Sequence, residues 1–250
     1  MAKGPPRELD VLAMTDITPN MRRITLGGPG LSDFPANQEG AYIKLMLDEA
    51  GQPEPCVRTY TVRHQRQDAS EIDVDFVMHG DHGIASRWAN RASIGDRIRV
   101  GGPGPRKMPN MEADWFFLAA DMTALPALSV NLEAMSESVT GYAVIEILHA
   151  DDRQKLDAPA GIEIDWVVAA QPEEGRAAVI ESIRAKPWLA GRPAVWAASE
   201  FDTMRAMRLY FKKERGLPTV DAYISSYWKR GIQEDEHKRV KRQDSNSADA

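Results

Sequence analysis

The alternation of apolar and polar positions divides this chain into two halves of different character. Over about the first hundred residues the period is two, and it predicts strands over 21–26, 41–47, 58–64, 71–78 and 96–100 joined by turns. The fourth is the cleanest: Ile72, Val74, Phe76 and Met78 alternate with Asp73, Asp75 and Val77, which puts one apolar set on one face. Short strands at regular spacing with Gly/Pro turns predict a small antiparallel β-barrel of Greek-key type. One helix, over 85–92, interrupts it just after Gly80-Asp81-His82-Gly83.

Past Gly101-Gly102-Pro103-Gly104-Pro105 the pattern changes. Apolar strand-length runs at 115–120, 142–149, 164–170, 194–198 and 220–227 alternate with helical stretches at 123–135, 176–185 and 201–215. Such alternation predicts a mostly parallel sheet covered on both faces. The expected architecture is a two-domain β plus α/β chain, with a barrel over 1–110, an α/β domain over 111–230, and a charged helix with a disordered tail over 231–250. In the last part, 233–242 reads as helix and 243–250 as the tail.

Composition narrows the function without naming it. With 43% apolar residues, the 250-residue chain has the makeup of a globular protein with a real core. A net charge of −6 argues against nucleic acid as a partner. Cys56 is the only cysteine, so no intrachain disulfide can form, which fits a reducing compartment. The N-terminal segment has no apolar core of a signal peptide and no run reaches membrane-spanning length, so a soluble cytoplasmic protein without membrane contact is expected. The five histidines (His64, His79, His82, His149, His237) are scattered, with no CxxC or HExxH, and no metal site is expected.

Candidate chemistry starts at Arg58-Thr59-Tyr60-Thr61-Val62-Arg63, after the turn-rich Gly51-Gln52-Pro53-Glu54-Pro55. In a strand Arg58 and Tyr60 share one face, and Thr59 and Thr61 the other. A guanidinium beside a ring can hold a phosphate while the ring stacks on a flat heterocycle, which is what a flavin nucleotide requires. Taken alone, the pair reads more simply as an Arg–Tyr couple on an exposed sheet face. Downstream, Gly80-Asp81-His82-Gly83-Ile84-Ala85-Ser86 lies between a strand and a helix. Glycine there permits close backbone approach and a helix N-terminus attracts a pyrophosphate, although a glycine turn with a serine cap explains the segment equally. Two phosphate sites on adjacent strands fit FAD better than FMN.

In the second half, Asp121 and Thr123 follow the first buried strand, where ligands meet an open α/β sheet. No GxGxxG is present, and an ordinary βα turn has the same composition. Val195-Trp196-Ala197-Ala198-Ser199-Glu200 is a second strand end. On the following helix Arg205 and Arg208 share a face, in reach of a nucleotide phosphate or simply solvated with Glu214 beyond.

Taken together these segments resemble the siderophore-interacting protein family, or siderophore ferric reductases, within the ferredoxin–NADP reductase superfamily. The resemblance rests on Arg58-Thr59-Tyr60-Thr61-Val62-Arg63; on Asp75-Phe76-Val77-Met78-His79-Gly80 with Gly83 and Ala85-Ser86-Arg87-Trp88-Ala89; and on Gly101-Gly102-Pro103-Gly104-Pro105. Asp121-Met122-Thr123-Ala124-Leu125-Pro126-Ala127 and Tyr227-Trp228-Lys229-Arg230-Gly231 with Glu234-Asp235-Glu236-His237 complete the set, in family order. It implies an FAD-binding barrel, an α/β domain for NADH or NADPH, and electron transfer through the flavin to a ferric siderophore in the cytoplasm. A reduced ferredoxin is an alternative donor.

By residue, the resemblance implies Arg58, Thr59, Tyr60 and Thr61 at the flavin, with His79, Gly83, Ala85 and Ser86 near its pyrophosphate. Asp121, Thr123 and Ala124 would line the flavin–nicotinamide junction, Glu200 and Arg205 the nucleotide, and Lys44, His237 and Lys241 the siderophore. No side chain is implied as acid, base or nucleophile, because the chemistry belongs to the cofactor. Departures are Ala120 and Ser199 where glycine is frequent, and Ile84 where proline is common. A reductase of other acceptors (free flavin, a quinone or a protein) and a siderophore-binding protein without turnover remain compatible with the same residues.

Overall fold

The computed structural model describes residues 5–49, 51–78, 83–170, 172–232 and 234–248. They pack as two compact units. One comprises the chain up to Lys107 with Ser129–Ala134 and Leu148–Asp157; the other comprises Met108–Leu128, Met135–Ile147 and the chain from Ala158.

The first unit is an antiparallel sheet of seven strands: β1 (Arg7–Thr18), β2 (Met21–Gly27), β3 (Tyr42–Leu47), β4 (Cys56–Thr61), β5 (His64–Arg66), β6 (Glu71–Val77) and β7 (Arg97–Gly104). Their order is β4-β3-β7-β1-β2-β6-β5. The predicted strand over 58–64 is two strands, because the chain leaves β3 at Thr61 and pairs with β6 from His64 onward. Val62 and Arg63 thus join the two outer edges of the ladder, which curls the sheet toward a barrel.

β1 carried no clear sequence signal. Leu9 and Val11 reach the core, but bulges between Val11 and Ala13 and between Asp16 and Thr18 break the alternation. The core is Leu9, Ile24, Leu26, Ile43, Leu45, Val74 and Phe76, packed by the first helix, α1 (Ile84–Arg91), through Ile84, Ala85 and Ala89. In β6 the polar set of the alternation is itself buried: Asp73 and Asp75 lie beside arginines.

Two segments from later in the chain belong to this unit for identifiable reasons. Asp152, fully buried, accepts from Thr18 Oγ1 at 2.8 Å and from Asn20 N and Nδ2 at 2.9 and 2.8 Å. The buried Arg63 pairs with Glu133 through both terminal nitrogens.

The second unit is a wholly parallel sheet of β8 (Trp115–Ala120), β9 (Thr140–Ile147), β10 (Gly161–Val168), β11 (Pro193–Glu200) and β12 (Ala222–Trp228), ordered β10-β9-β8-β11-β12. Its helices are the start of α2 (Leu125–Glu133), whose residues from Ser129 on belong to the first unit, with α3 (Pro172–Ala185), α4 (Phe201–Arg208) and α5 (Glu234–Ala248). Trp115, Phe117, Val144, Val195 and Phe211 lie in its core. The expected long helix over 201–215 changes character at Leu209, where a π-helical turn runs to Glu214. The segment read as a disordered tail is helical through Ala248, as the C-terminal part of α5. No helix among the described residues is long and apolar enough to cross a membrane.

Candidate functional site

Strand register sorts the first unit's candidates by face. Lys44 lies opposite Thr59, and its ammonium donates to the Thr59 hydroxyl; Arg58 and Tyr60 lie opposite Leu45 and Ile43. Lys44, Thr59 and Thr61 therefore share one face, and Arg58 and Tyr60 the other. Tyr60 is half-buried, its ring 4.5 Å from that of Phe76, which in turn meets Trp88 at 5.5 Å. Arg58 is also half-buried, whereas Thr59 is exposed and Thr61 buried.

Helix α1 opens at Gly83, whose φ of 91° is the left-handed region that glycine tolerates. Among the described residues no side chain caps this N-terminus; Ser86, considered as a cap, is buried in the first turn instead. Ala85 is likewise buried. His79, with Gly80, Asp81 and His82, lies outside the described residues. The residues present fit a flavin nucleotide: a partly open ring and a guanidinium on one strand face, and a helix N-terminus that opens at a glycine, where backbone amides favour a phosphate.

In the second unit the candidates converge at the carboxyl ends of β8, β11 and β12. Asp121 Oδ1 accepts from Thr123 N and Oγ1 at 2.9 and 2.6 Å and from Ala124 N at 3.2 Å. Oδ2 accepts from Glu200 N and Trp228 Nε1, each at 2.8 Å. Glu200 in turn caps α4, accepting from Asp202 N at 2.6 Å and Thr203 N at 3.4 Å, and accepts from Arg230 N at 3.2 Å. Both carboxylates thus clasp three strand ends together. Burial pushes the Asp121 acid up despite its hydrogen bonds from Thr123, Trp228, Ala124 and Glu200. Ser199 is buried at a bulge and turns its hydroxyl to the Glu200 carbonyl at 3.2 Å.

Other candidates are drawn into packing. Arg205 and Arg208 pair with Asp244 of α5, at 3.3 and 2.6 Å, while Glu214 pairs with Arg184. His237 is buried, with Nε2 2.8 Å from Ser226 Oγ, and Lys241 donates to Ser225 Oγ at 2.6 Å and to the Ser226 carbonyl at 2.9 Å. These two residues fasten α5 to β12 in the second unit, whereas Lys44 belongs to the first.

Sequence reasoning quoted Trp228 and Arg230 in a motif without assigning them a role, and it passed over Glu146 altogether. Glu146, near the end of β9, is pushed up to about 7 by burial and by the charges of Asp121 and Glu200, with Arg230 opposing. Its signal was its place at the carboxyl end of a parallel strand, visible only once the strand's direction is known. Among the described residues no group of three or more His, Cys, Asp or Glu could hold a metal ion.

An antiparallel sheet followed by a parallel five-stranded sheet, with the candidate residues at strand ends, is the architecture of the ferredoxin–NADP reductases. The solved ferredoxin–NADP+ reductase from Plasmodium falciparum superimposes with a TM-score of 0.60 at 13% identity over 89% of this chain and 96% of its own, a likeness of fold alone. Residues 113–231 match the family described as siderophore-interacting protein, and 10–57 and 49–107 match the siderophore-interacting FAD-binding domain. The chain is 31% identical to the ferric vibriobactin reductase ViuB of Vibrio cholerae over 92% of both chains. The siderophore-interacting protein SipS from Aeromonas hydrophila superimposes with a TM-score of 0.87 at 33% identity, covering 97% of this chain and 98% of that one. The chain belongs to the siderophore-interacting protein family.

Proposed function

We propose that the protein is an FAD-dependent ferric-siderophore reductase of the cytoplasm, taking electrons from NADH or NADPH. The observation that carries this reading is likeness to a named ferric-siderophore reductase over nearly the whole chain, together with the FAD-binding-domain match on the first unit. Bound FAD supplies the exchange between a two-electron donor and a one-electron acceptor. The chain's own part is placement: Tyr60 offers a ring to stack, Arg58 and the α1 N-terminus meet phosphates, and the Asp121–Glu200 clasp shapes the nucleotide end. Siderophores favour the hard ferric ion, so reduction loosens the complex and releases iron. Lys44 is assigned to the anionic ferric complex on charge, and its Thr59 contact orients it.

The test is the anaerobic visible spectrum of the purified protein during addition of NADH, then NADPH, then a ferric siderophore. Bleaching of a flavin band by a nucleotide and its return with the ferric complex are expected. A colourless protein that takes up no FAD would end the reading. A flavin that neither nucleotide bleaches would move the donor to a protein such as ferredoxin. Lys44→Ala should weaken the ferric complex about tenfold while flavin bleaching by nucleotide persists; unchanged affinity would return Lys44 to the surface.

A further inference from the structure

The first unit holds a cleft of about 440 Å³, and none of the residues assigned to flavin, nucleotide or siderophore lines it. Its walls come from separated stretches of chain that ion pairs and hydrogen bonds tie down. β2 supplies Arg23, whose guanidinium is 2.7 and 2.8 Å from the Asp75 oxygens. The link between β4 and β5 supplies Arg63, 9% exposed and paired with Glu133. His64 follows it, with Nδ1 3.0 Å from Asp73 Oδ2. A further wall is the stretch 153–157, which follows directly on the buried Asp152 that Thr18 and Asn20 hold. It brings Arg153, Gln154 and Lys155 to the same cleft, while Ile17 and Leu156 give the cleft an apolar side.

Donors in this cleft outnumber acceptors. A guanidinium carries five N–H groups and accepts nothing. Arg23 gives two of its nitrogens to Asp75 and Arg63 two to Glu133, so each keeps N–H groups for a further oxygen. Arg153 donates to the Ala150 carbonyl at 3.4 Å and Lys155 is exposed, and neither has an ion-pair partner among the described residues. Gln154, half-buried in the same wall, has an amide nitrogen that meets no acceptor. Against these stand Glu133, both of whose oxygens Arg63 takes, and Asp157. Asp157 is thus the one lining carboxylate left to meet Arg153 and Lys155. A cleft of this volume with an apolar side and convergent polar groups suits a small molecule, and arginine forks suit oxyanions. We propose that this cleft is a binding site for a small polyanion bearing phosphate or carboxylate groups. Arg23 and Arg63, held by their acids, present fixed N–H groups, and Arg153 and Lys155 supply the charge that draws the ligand in.

The test is calorimetric titration of the FAD-loaded protein with pyrophosphate and, separately, with citrate. One site per chain is expected for at least one of them, and the tighter binder tells whether phosphate or carboxylate is the group read. Its affinity should fall about tenfold or more in the Arg153→Ala/Lys155→Ala double variant, because hydrogen bonds to charged groups are the strong ones. Arg97→Ala/Arg99→Ala removes the same charge from arginines of β7 that pair with Glu8 and Asp48 outside the cleft. That variant should leave the affinity within about twofold. All four side chains are exposed, so the fold tolerates their removal. No binding of either anion below about 10 mM, or equal weakening by the two double variants, would overturn the inference. So would binding that is seen before FAD is loaded and lost afterwards, since the anion would then be standing in the cofactor's own phosphate site.

Discussion

The two units bury their carboxylates in opposite ways. In the barrel unit, Asp73 accepts from Arg66 at 2.7 and 2.8 Å, from His64 at 3.0 Å and from Thr25 at 2.8 Å. Asp75 accepts from Arg23 at 2.7 and 2.8 Å. Burial alone would raise the Asp73 acid, but the Arg66, His64 and Thr25 hydrogen bonds and the Arg66 charge hold it well below the usual carboxylate range. In the parallel-sheet unit, Asp121 is met by backbone amides, a hydroxyl and an indole, and burial wins. At Asp121 the neutral donors orient the carboxylate without offsetting the cost of drying its charge, whereas at Asp73 the Arg66 cation helps to offset it. Asp73 thus serves the first unit as a charged fastener, whereas burial pushes Asp121 and Glu146 up in the second. Perturbation of that second kind marks functional ground more often than structural.

The sharpest way to break this contrast is Asp121→Ala. It leaves the amides of Thr123, Ala124 and Glu200 and the Trp228 indole without their acceptor, which should cost about 3–5 kcal/mol in urea unfolding. A loss below about 1 kcal/mol would show that the strand ends hold together without the clasp.

Next is Asp73→Asn, which removes the charge that Arg66 and His64 share. With Arg66 partly solvated, a loss of about 2 kcal/mol at pH 7 is expected. The sign follows from a folded acid constant below the unfolded one. Stabilisation is fully present above the ordinary aspartate value of 3.8 and is lost as pH falls from there toward the depressed folded constant, so the gap between wild type and variant should narrow in strong acid. A gap independent of pH would make Asp73 a packing residue only.

The smallest effect runs the other way. The Glu146 acid is raised from 4.5 to about 7, so the folded state binds this proton more tightly and loses stability as pH rises between those values. Glu146→Gln should match the wild type near pH 4 and exceed it by about 1–2 kcal/mol at pH 8, the full shift being discounted for partial solvation. Equal unfolding curves at pH 8 would place Glu146 in water and erase the contrast between the units.

The chain's organisation was legible where information is local. Period-two alternation located β2, β3, β6 and β7, and apolar runs located the parallel strands, because side-chain direction repeats every two residues in any strand. The segment at 58–61 falls in β4 and that at 121–124 directly after β8, the strand and strand end expected for them. β1 escaped because its bulges shift phase within twelve residues, and the split between β4 and β5 because a change of partner leaves no local mark. The alternation in β6 likewise gave no hint that Asp73 would be buried against Arg66, since the same polar residue suits water or a guanidinium.

The sequence by itself determined the order of a barrel half and a parallel α/β half, the placing of Tyr60 and Arg58 on one strand face, and the acid after β8. Only the tertiary structure decided what those groups do to one another. It joined Asp121 to Trp228 across 107 residues, gave Arg205 and Arg208 to Asp244, tied His237 and Lys241 to β12, and brought Glu146 against Gly175. The physical reason is range: periodicity and turn chemistry act over a few residues, whereas the charge state and partners of a buried acid depend on which strand ends the sheet order places side by side.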